Sequence, residues 1–125
     1  MMTTAPLILI ETLTLTGSYE AYLEAVTALR DKIERDGLQE IVSFHHFVNP
    51  EQTEVYLIMY FTQSDAYDKH IAFLRETEEV YALLAVIKPK EFKFYGPMTA
   101  WMQELVEKEN SPYQWAGAHV LGFVR

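Results

Sequence analysis

The stretch EIVSFHHFVNPEQTEVYLIMYF, residues 40–61, contains two runs that are rich in β-branched and aromatic residues. EIVSFHHFV (Glu40 to Val48) and EVYLIMYF (Glu54 to Phe61) both have the composition of β-strands. The residues between the two runs begin with Asn49-Pro50, a pair that often opens a turn. The stretch therefore predicts a β-hairpin.

The loop position predicts which side chains share a face of the hairpin. A loop at residues 49–52 would place Val48 opposite Thr53 and His46 opposite Val55. One face would then carry Val42, Phe44, His46, Val55, Leu57, Met59 and Phe61, and the other His45, Phe47, Tyr56, Ile58 and Tyr60. A shift of one residue would exchange the two faces. In this register His46 points toward a pocket and His45 points toward the opposite side.

The residues before the hairpin predict a strand and then a helix. LILIETLTL, Leu7 to Leu15, is rich in β-branched residues, and its first half is apolar on both faces. Ser18 is a typical helix N-cap, and apolar residues recur at helical spacing from Tyr19 until Gly37, a typical helix end.

The residues after the hairpin predict two helices and a strand. The first helix begins near Ser64 or Asp65, and its apolar stripe carries Tyr67, His70, Ile71 and Leu74. A second helical stretch runs over residues 76–87, and we expect Pro89 to end it. The strictly alternating residues 91–95 predict a fourth strand.

The order strand, helix, strand, strand, helix, strand is the split β-α-β plan of ferredoxin-like α+β domains. We expect one domain over residues 1–125, with a core at 7–96 and an extension at 98–125 that holds a helix and a fifth, edge strand at His119–Val124. Helices would cover one face of the antiparallel sheet. The other face is too apolar for water, which predicts a homodimer.

Composition excludes several classes of function. The 125 residues include no cysteine and carry a formal charge of -8, and half of them are hydrophobic. Disulfide and thiolate–metal sites are therefore excluded, and nucleic-acid or membrane binding is not expected. We expect a cytoplasmic protein without a metal, because the sequence contains no targeting or membrane-spanning segment and no metal-ligand motif.

Residues 37–73, GLQEIVSFHHFVNPEQTEVYLIMYFTQSDAYDKHIAF, resemble the antibiotic biosynthesis monooxygenase (ABM) domain family. Gly37, Ala66 and His70 match the family pattern. Met59 and Phe61 depart from it, because they stand where the family has a glutamate and a tryptophan. The resemblance implies a dimeric α+β barrel and, in oxygenase members, reaction with dioxygen without any cofactor. It places His70 as a catalytic base and Tyr67 as a catalytic hydrogen-bond donor.

Other residues are candidates for substrate binding. The predicted pocket between sheet and helices is lined by His46, Leu57, Met59, Phe61 and Tyr81, in addition to Tyr67 and His70. Glu11 is the only charge in the first strand. It is either a base or substrate anchor with a raised pKa or a structural residue, and we favour a position at the rim or an ion pair with Lys93.

Several functions are compatible with these residues. The first is a cofactor-independent monooxygenase that acts on a small aromatic, quinol or polyketide-like substrate. An isomerase or cyclase would use the same pocket and the same histidine. A dimer that binds a small ligand or has a purely structural role is the third, and for it His70 and Tyr67 would only fill the core.

Overall fold

The computed structural model describes residues 5–125, which form a five-stranded sheet with helices on one face. The elements are β1 (Leu7–Leu15), α1 (Tyr19–Asp36), β2 (Ile41–Val48), β3 (Glu54–Phe61), α2 (Asp65–Arg75), α3 (Glu78–Leu84), β4 (Ile87–Tyr95), α4 (Ala100–Glu107) and β5 (Tyr113–Gly117). The strand order is β2-β3-β1-β4-β5. β1 pairs antiparallel with both β3 and β4, so the predicted split β-α-β core is confirmed.

Helix α1 follows the predicted signals at both ends. The Ser18 side chain accepts a hydrogen bond from the Ala21 N–H at 3.1 Å. At the other end, a Cβ on Gly37 would lie 2.5 Å from the Ile33 carbonyl oxygen, so only glycine fits there without a shift of the backbone. Between these ends, an apolar stripe buries α1 against the sheet, and its most buried members are Tyr22, Val26, Leu29 and Ile33.

The hairpin has the predicted faces but a different register. Val48 lies opposite Val55 and His46 opposite Leu57, two residues away from the predicted pairs. The loop is longer because the Asn49 side-chain oxygen accepts hydrogen bonds from the N–H groups of Thr53 and Glu54. A shift of two residues leaves every side chain on its predicted face, since the repeat of a strand is two.

A bulge changes the face of one residue. The β2–β3 register shifts between Ile41 and Ser43, so the prediction that Val42 faces the helices is wrong. Val42 is exposed, and Ile41 packs against the core in its place.

Pro89 does not end a helix, which corrects the prediction for residues 76–87. Helix α3 already ends at Leu84, and Pro89 lies inside β4, opposite Leu13. The β1–β4 register shifts between Thr12 and Leu13, and a proline without an N–H is tolerated at such an irregularity.

The fifth strand exists, but its predicted position at His119–Val124 is wrong. β5 spans Tyr113–Gly117 and pairs parallel to β4. The chain turns back early because Phe92 donates its N–H to the Pro112 carbonyl at 2.8 Å, and the Tyr113 ring then stacks on Phe92 with centroids 4.2 Å apart. The free edge of β4 is therefore already occupied, and residues 118–125 form no strand.

The two faces of the sheet have different environments. The helices bury Leu7, Leu9, Leu13, Val55, Leu57, Met59, Phe61, Phe92 and Phe94 on one face. The opposite face, which we call the open face, carries Ile8, Ile10, Thr12, His45, Phe47, Tyr56, Ile58, Tyr60, Lys93 and Tyr95. No helix of residues 5–125 is both long enough and apolar enough to cross a membrane.

Candidate functional site

A cavity of about 280 Å³ lies between the helix-covered face of the sheet and helices α1, α2 and α3. Its walls are mostly apolar, with contributions from Leu9, Leu13, Leu29, Phe44, Leu57, Met59, Ile71, Val80, Leu83 and Phe92. Polar side chains reach it from five elements and are Glu11, His46, Tyr67, His70, Arg75, Tyr81 and Tyr113. A mostly apolar cavity with a few polar groups is typical of a small-molecule site.

Glu11 lies on the cavity side of the central strand. Its neighbours on the same face of β1 are Leu9 and Leu13, which are almost fully buried. It lies across from Leu57 on β3 and Phe92 on β4. Burial in these apolar surroundings raises the pKa of Glu11 to about 8, so the carboxyl is mostly protonated at neutral pH.

His70 lines the cavity from helix α2, and its side chain is almost fully buried. Its Nδ1 atom is buried, and no residue of the described part of the chain hydrogen-bonds it. Burial lowers the pKa of His70 to about 4, so the ring is neutral at physiological pH. A neutral imidazole that lines a cavity is able to accept a proton from a ligand.

His46 is held differently on β2. Its Nδ1 atom lies 2.8 Å from the Tyr22 hydroxyl, so α1 fixes the orientation of the ring. Burial lowers the pKa of His46 to about 4 and raises that of Tyr22 to about 12, so both side chains are neutral. This hydrogen bond makes His46 a fixed part of the cavity wall.

Tyr67 lies at the centre of an aromatic cluster. It contacts Phe61 and Phe94 edge-on, and Trp101 of α4 stacks on it with centroids 5.8 Å apart. Burial raises the pKa of Tyr67, and the nearby Tyr113 and Glu11 raise it further. The phenol is therefore a hydrogen-bond donor and never an anion near neutral pH.

Comparison with known proteins gives matches of structure alone. No protein-family model and no curated protein matches the sequence. SnoaB from Streptomyces nogalater, a cofactor-independent oxygenase, superimposes with a TM-score of 0.62 at 14% identity over 76% of this chain and 95% of its own. A protein from Chloroflexus aurantiacus, provisionally assigned as an antibiotic biosynthesis monooxygenase, gives 0.54 at 12% identity over 77% and 96%. This chain has the fold of the antibiotic biosynthesis monooxygenases.

The ABM fold accounts for most of this chain, but not for all of it. MupZ from Pseudomonas fluorescens superimposes over 98% of this chain and 91% of its own, with a TM-score of 0.67 at 8% identity. SnoaB leaves about a quarter of this chain without a counterpart. The superposition with MupZ is therefore long enough to include the C-terminal extension.

Most of the predicted site residues meet in one cavity of this ABM fold. His46, Leu57, Met59, Tyr67 and His70 all line it. Phe61 does not, because it packs behind two of them, with ring centroids 5.9 Å from both Tyr67 and His70. Tyr81 lines the cavity from its margin, since its side chain is exposed and its hydroxyl donates to the Arg75 carbonyl at 3.1 Å.

The predicted ion pair between Glu11 and Lys93 is wrong. Lys93 lies opposite Ile10 and therefore on the open face, where its Nζ is 3.8 Å from Glu91. Glu11 lines the cavity and forms no ion pair with any residue of the described chain.

Tyr113 and Arg75 line the cavity although sequence reasoning did not single them out. The alternation of Tyr113, Gln114 and Trp115 is a weak strand signal that could have indicated Tyr113. Its position beside Glu11 follows only from the parallel pairing of β5 with β4. Among residues 5–125, no three His, Asp or Glu side chains lie close enough together to hold a metal ion.

Proposed function

We propose that this protein is a cofactor-independent monooxygenase of a small aromatic, quinol or polyketide-like substrate that binds in the cavity. The observation that carries the proposal is the neutral His70 ring, which lines the cavity. The fold shared with SnoaB supports the same reaction class. The cavity volume of about 280 Å³ suits a ligand of two or three rings.

The cavity chemistry is best followed with an anthrone, whose CH2 group is oxidised to a carbonyl. His70 accepts one CH2 proton, and the carbanion then transfers one electron to dioxygen. The substrate radical and superoxide join through a carbon–oxygen bond, and His70 returns its proton to the outer oxygen. Loss of the second hydrogen as a proton, together with hydroxide, leaves the carbonyl and one water. One dioxygen is consumed per anthrone.

The remaining cavity residues stabilise this sequence of steps. The neutral Tyr67 phenol donates a hydrogen bond to the substrate oxygen on which negative charge develops. His46, fixed by Tyr22, and the apolar side chains of Leu57 and Met59 form the wall that keeps water away from the carbanion. Tyr81 lies at the margin, where it contacts the substrate as it enters.

We propose that the functional unit is a homodimer that buries the open face. Phe47 and Ile58 are exposed there, at 53% and 37%, and their neighbours Ile10 and Tyr56 are also apolar or aromatic. Apart from this face, Val120 and Phe123 of the tail are more than 80% exposed. A second copy would cover this surface by symmetry. A cytoplasmic location stays a prediction.

A non-oxidative reaction is the second candidate, and Glu11 is the observation that favours it. A protonated carboxyl and a neutral imidazole in one cavity form an acid and a base, which is what an isomerase or cyclase requires. Such an enzyme would convert its substrate without consuming dioxygen, so one measurement separates the two candidates.

The test is dioxygen uptake with anthrone, in protein freed of flavin and treated with a metal chelator. We expect one dioxygen consumed per anthraquinone formed, and His70→Ala should lower the rate at least about tenfold. His119→Ala, in the exposed tail, is the matched control and should leave the rate unchanged. A rate equal to that of the protein-free solution would contradict the proposed monooxygenase activity. Full activity of His70→Ala would contradict the role of His70 as the base.

A further inference from the structure

The carboxyl of Glu11 lies in the cavity without a counter-charge. It occupies the helix-covered face of β1, where the neighbouring side chains on both adjacent strands are apolar. The titratable or charged side chains that reach the same cavity are His46 of β2, Tyr67, His70 and Arg75 of α2, Tyr81 of α3 and Tyr113 of β5. Arg75 is the cation among them, but it is exposed, and its guanidinium lies over the Trp101 ring, 6.0 Å from the centroid.

These surroundings favour the neutral form of the carboxyl. Both histidines are uncharged at neutral pH, and both tyrosines beside Glu11 have a raised pKa that keeps them protonated. Glu11 is half-buried, and ionising a carboxyl in such apolar surroundings without a partner is unfavourable. The raised pKa of Glu11 agrees with this geometry.

We infer that Glu11 is a proton-bearing acid that donates a hydrogen bond to a carbonyl oxygen of the ligand, so that the cavity selects neutral carbonyl compounds over carboxylates. The inference rests on the proposed function, because it names the substrate class of the same cavity. A protonated carboxyl is a donor, whereas an ionised one only accepts hydrogen bonds. A carboxylate ligand would bring a negative charge into a mostly apolar cavity in which both histidines are neutral, so its desolvation would disfavour binding.

The C-terminal extension completes this acid site. Tyr113 of β5 stacks on Phe92, the residue across from Glu11 on β4, and on Phe94, with centroids 4.2 and 5.8 Å apart. Its ring thereby lines the side of the cavity next to Glu11. Tyr113 belongs to the extension at 98–125, which lies outside the part of the chain that resembles the monooxygenase family.

The test is equilibrium binding of two probes that His70 cannot convert. 1,4-Naphthoquinone is neutral and has two carbonyl groups but no acidic CH2, and 1-naphthoate has a similar ring system with a carboxylate. Calorimetry should show that the wild type binds the quinone at least about tenfold more tightly than naphthoate near pH 7. Its affinity for the quinone should fall at least about tenfold from pH 6 to pH 9.5, as Glu11 ionises.

Two variants assign this pH dependence to Glu11. Glu11→Gln keeps an N–H donor that does not ionise, so its affinity for the quinone should be the same at both pH values. Glu11→Leu keeps the volume without a donor and should bind weakly at both. Glu24→Gln, an exposed carboxyl on α1, is the control and should behave as the wild type.

Three results would overturn the inference. They are a wild-type affinity for the quinone that does not change with pH, naphthoate binding as tight as quinone binding, and wild-type affinity in Glu11→Leu. The first two need no variant, so a failure of Glu11→Gln to fold leaves the inference testable. Neither probe is oxygenated, so a negative result here leaves the dioxygen-uptake test of the proposed function untouched, and the reverse also holds.

Discussion

Each face of the sheet carries residues that are unusual for its environment. The face under the helices buries leucines at 7, 9 and 13 of β1, yet it holds the carboxyl of Glu11 between two of them. The open face, which should tolerate water, carries Ile8, Ile10 and Ile58. A domain built for stability alone would place these groups the other way round.

These unusual residues suggest a different role for each face. A buried acid without a partner destabilises the fold, and such groups concentrate where a ligand uses them. An apolar surface without cover is typical of a protein interface. The inner face is therefore the candidate site, and the open face is the candidate dimer interface.

The largest effect is expected when a charge is placed on the open face. Ile58 lies between Ile10 and His45 on the neighbouring strands, so Ile58→Glu would bury a carboxylate at the centre of the proposed interface. We expect the dimer to weaken at least about 100-fold, because an unpaired buried charge costs several kcal/mol. Light scattering should change from twice the 14.5 kDa chain mass to that mass alone.

Leu23→Glu is the matched control for that variant. Leu23 is exposed to a similar degree, 42% against 37% for Ile58, but it lies on α1, in the layer that covers the other face. Its mass should stay that of the dimer. A wild-type protein that is monomeric at micromolar concentration would contradict the proposed dimer interface.

A smaller effect is expected when the inner face loses its acid. The pKa of Glu11 is about 8 in the folded protein and 4.5 as its reference value, so between these pH values the folded state holds a proton that the unfolded state has released. Stability contributed at this site therefore falls as pH rises from about 4.5 to 8, and it levels off above. Glu11→Gln removes the titration.

The melting temperature measures this difference between the inner face and the surface. Glu11→Gln should melt at roughly the wild-type temperature near pH 5 and at least about 3 °C higher near pH 8.5. Glu24→Gln, exposed on α1, should show no such dependence. Equal shifts in both variants at both pH values would mean that Glu11 ionises normally in the folded protein.

Sequence reasoning succeeded where a local signal was enough. The Ser18 cap and Gly37 delimit α1 because each acts on backbone groups a few residues away. The faces of the hairpin were predicted although its register was not, because a two-residue error does not move a side chain across the sheet.

It failed where distant parts of the chain decide the result. Pro89 signals a helix stop locally, but its actual place is set by the irregular pairing of β4 with β1. The tail HVLGFV has strand composition, yet Tyr113–Gly117 already occupies the edge of β4. The environment of Glu11 depends on side chains from β3, β4, α2 and β5. The sequence could therefore suggest a raised pKa for Glu11, but it could not favour this over a structural role.

The most direct test of the account is to locate a bound ligand on one face of the sheet. Methyl-labelled NMR suits this chain, because the strands place leucines 9, 13 and 57 on the inner face and isoleucines 8, 10 and 58 on the open face. With 1,4-naphthoquinone near pH 6, the account predicts contacts and shift changes at the leucine methyl groups and none at these isoleucines. Changes confined to the isoleucines would contradict it, because the ligand would then bind on the face assigned to the dimer.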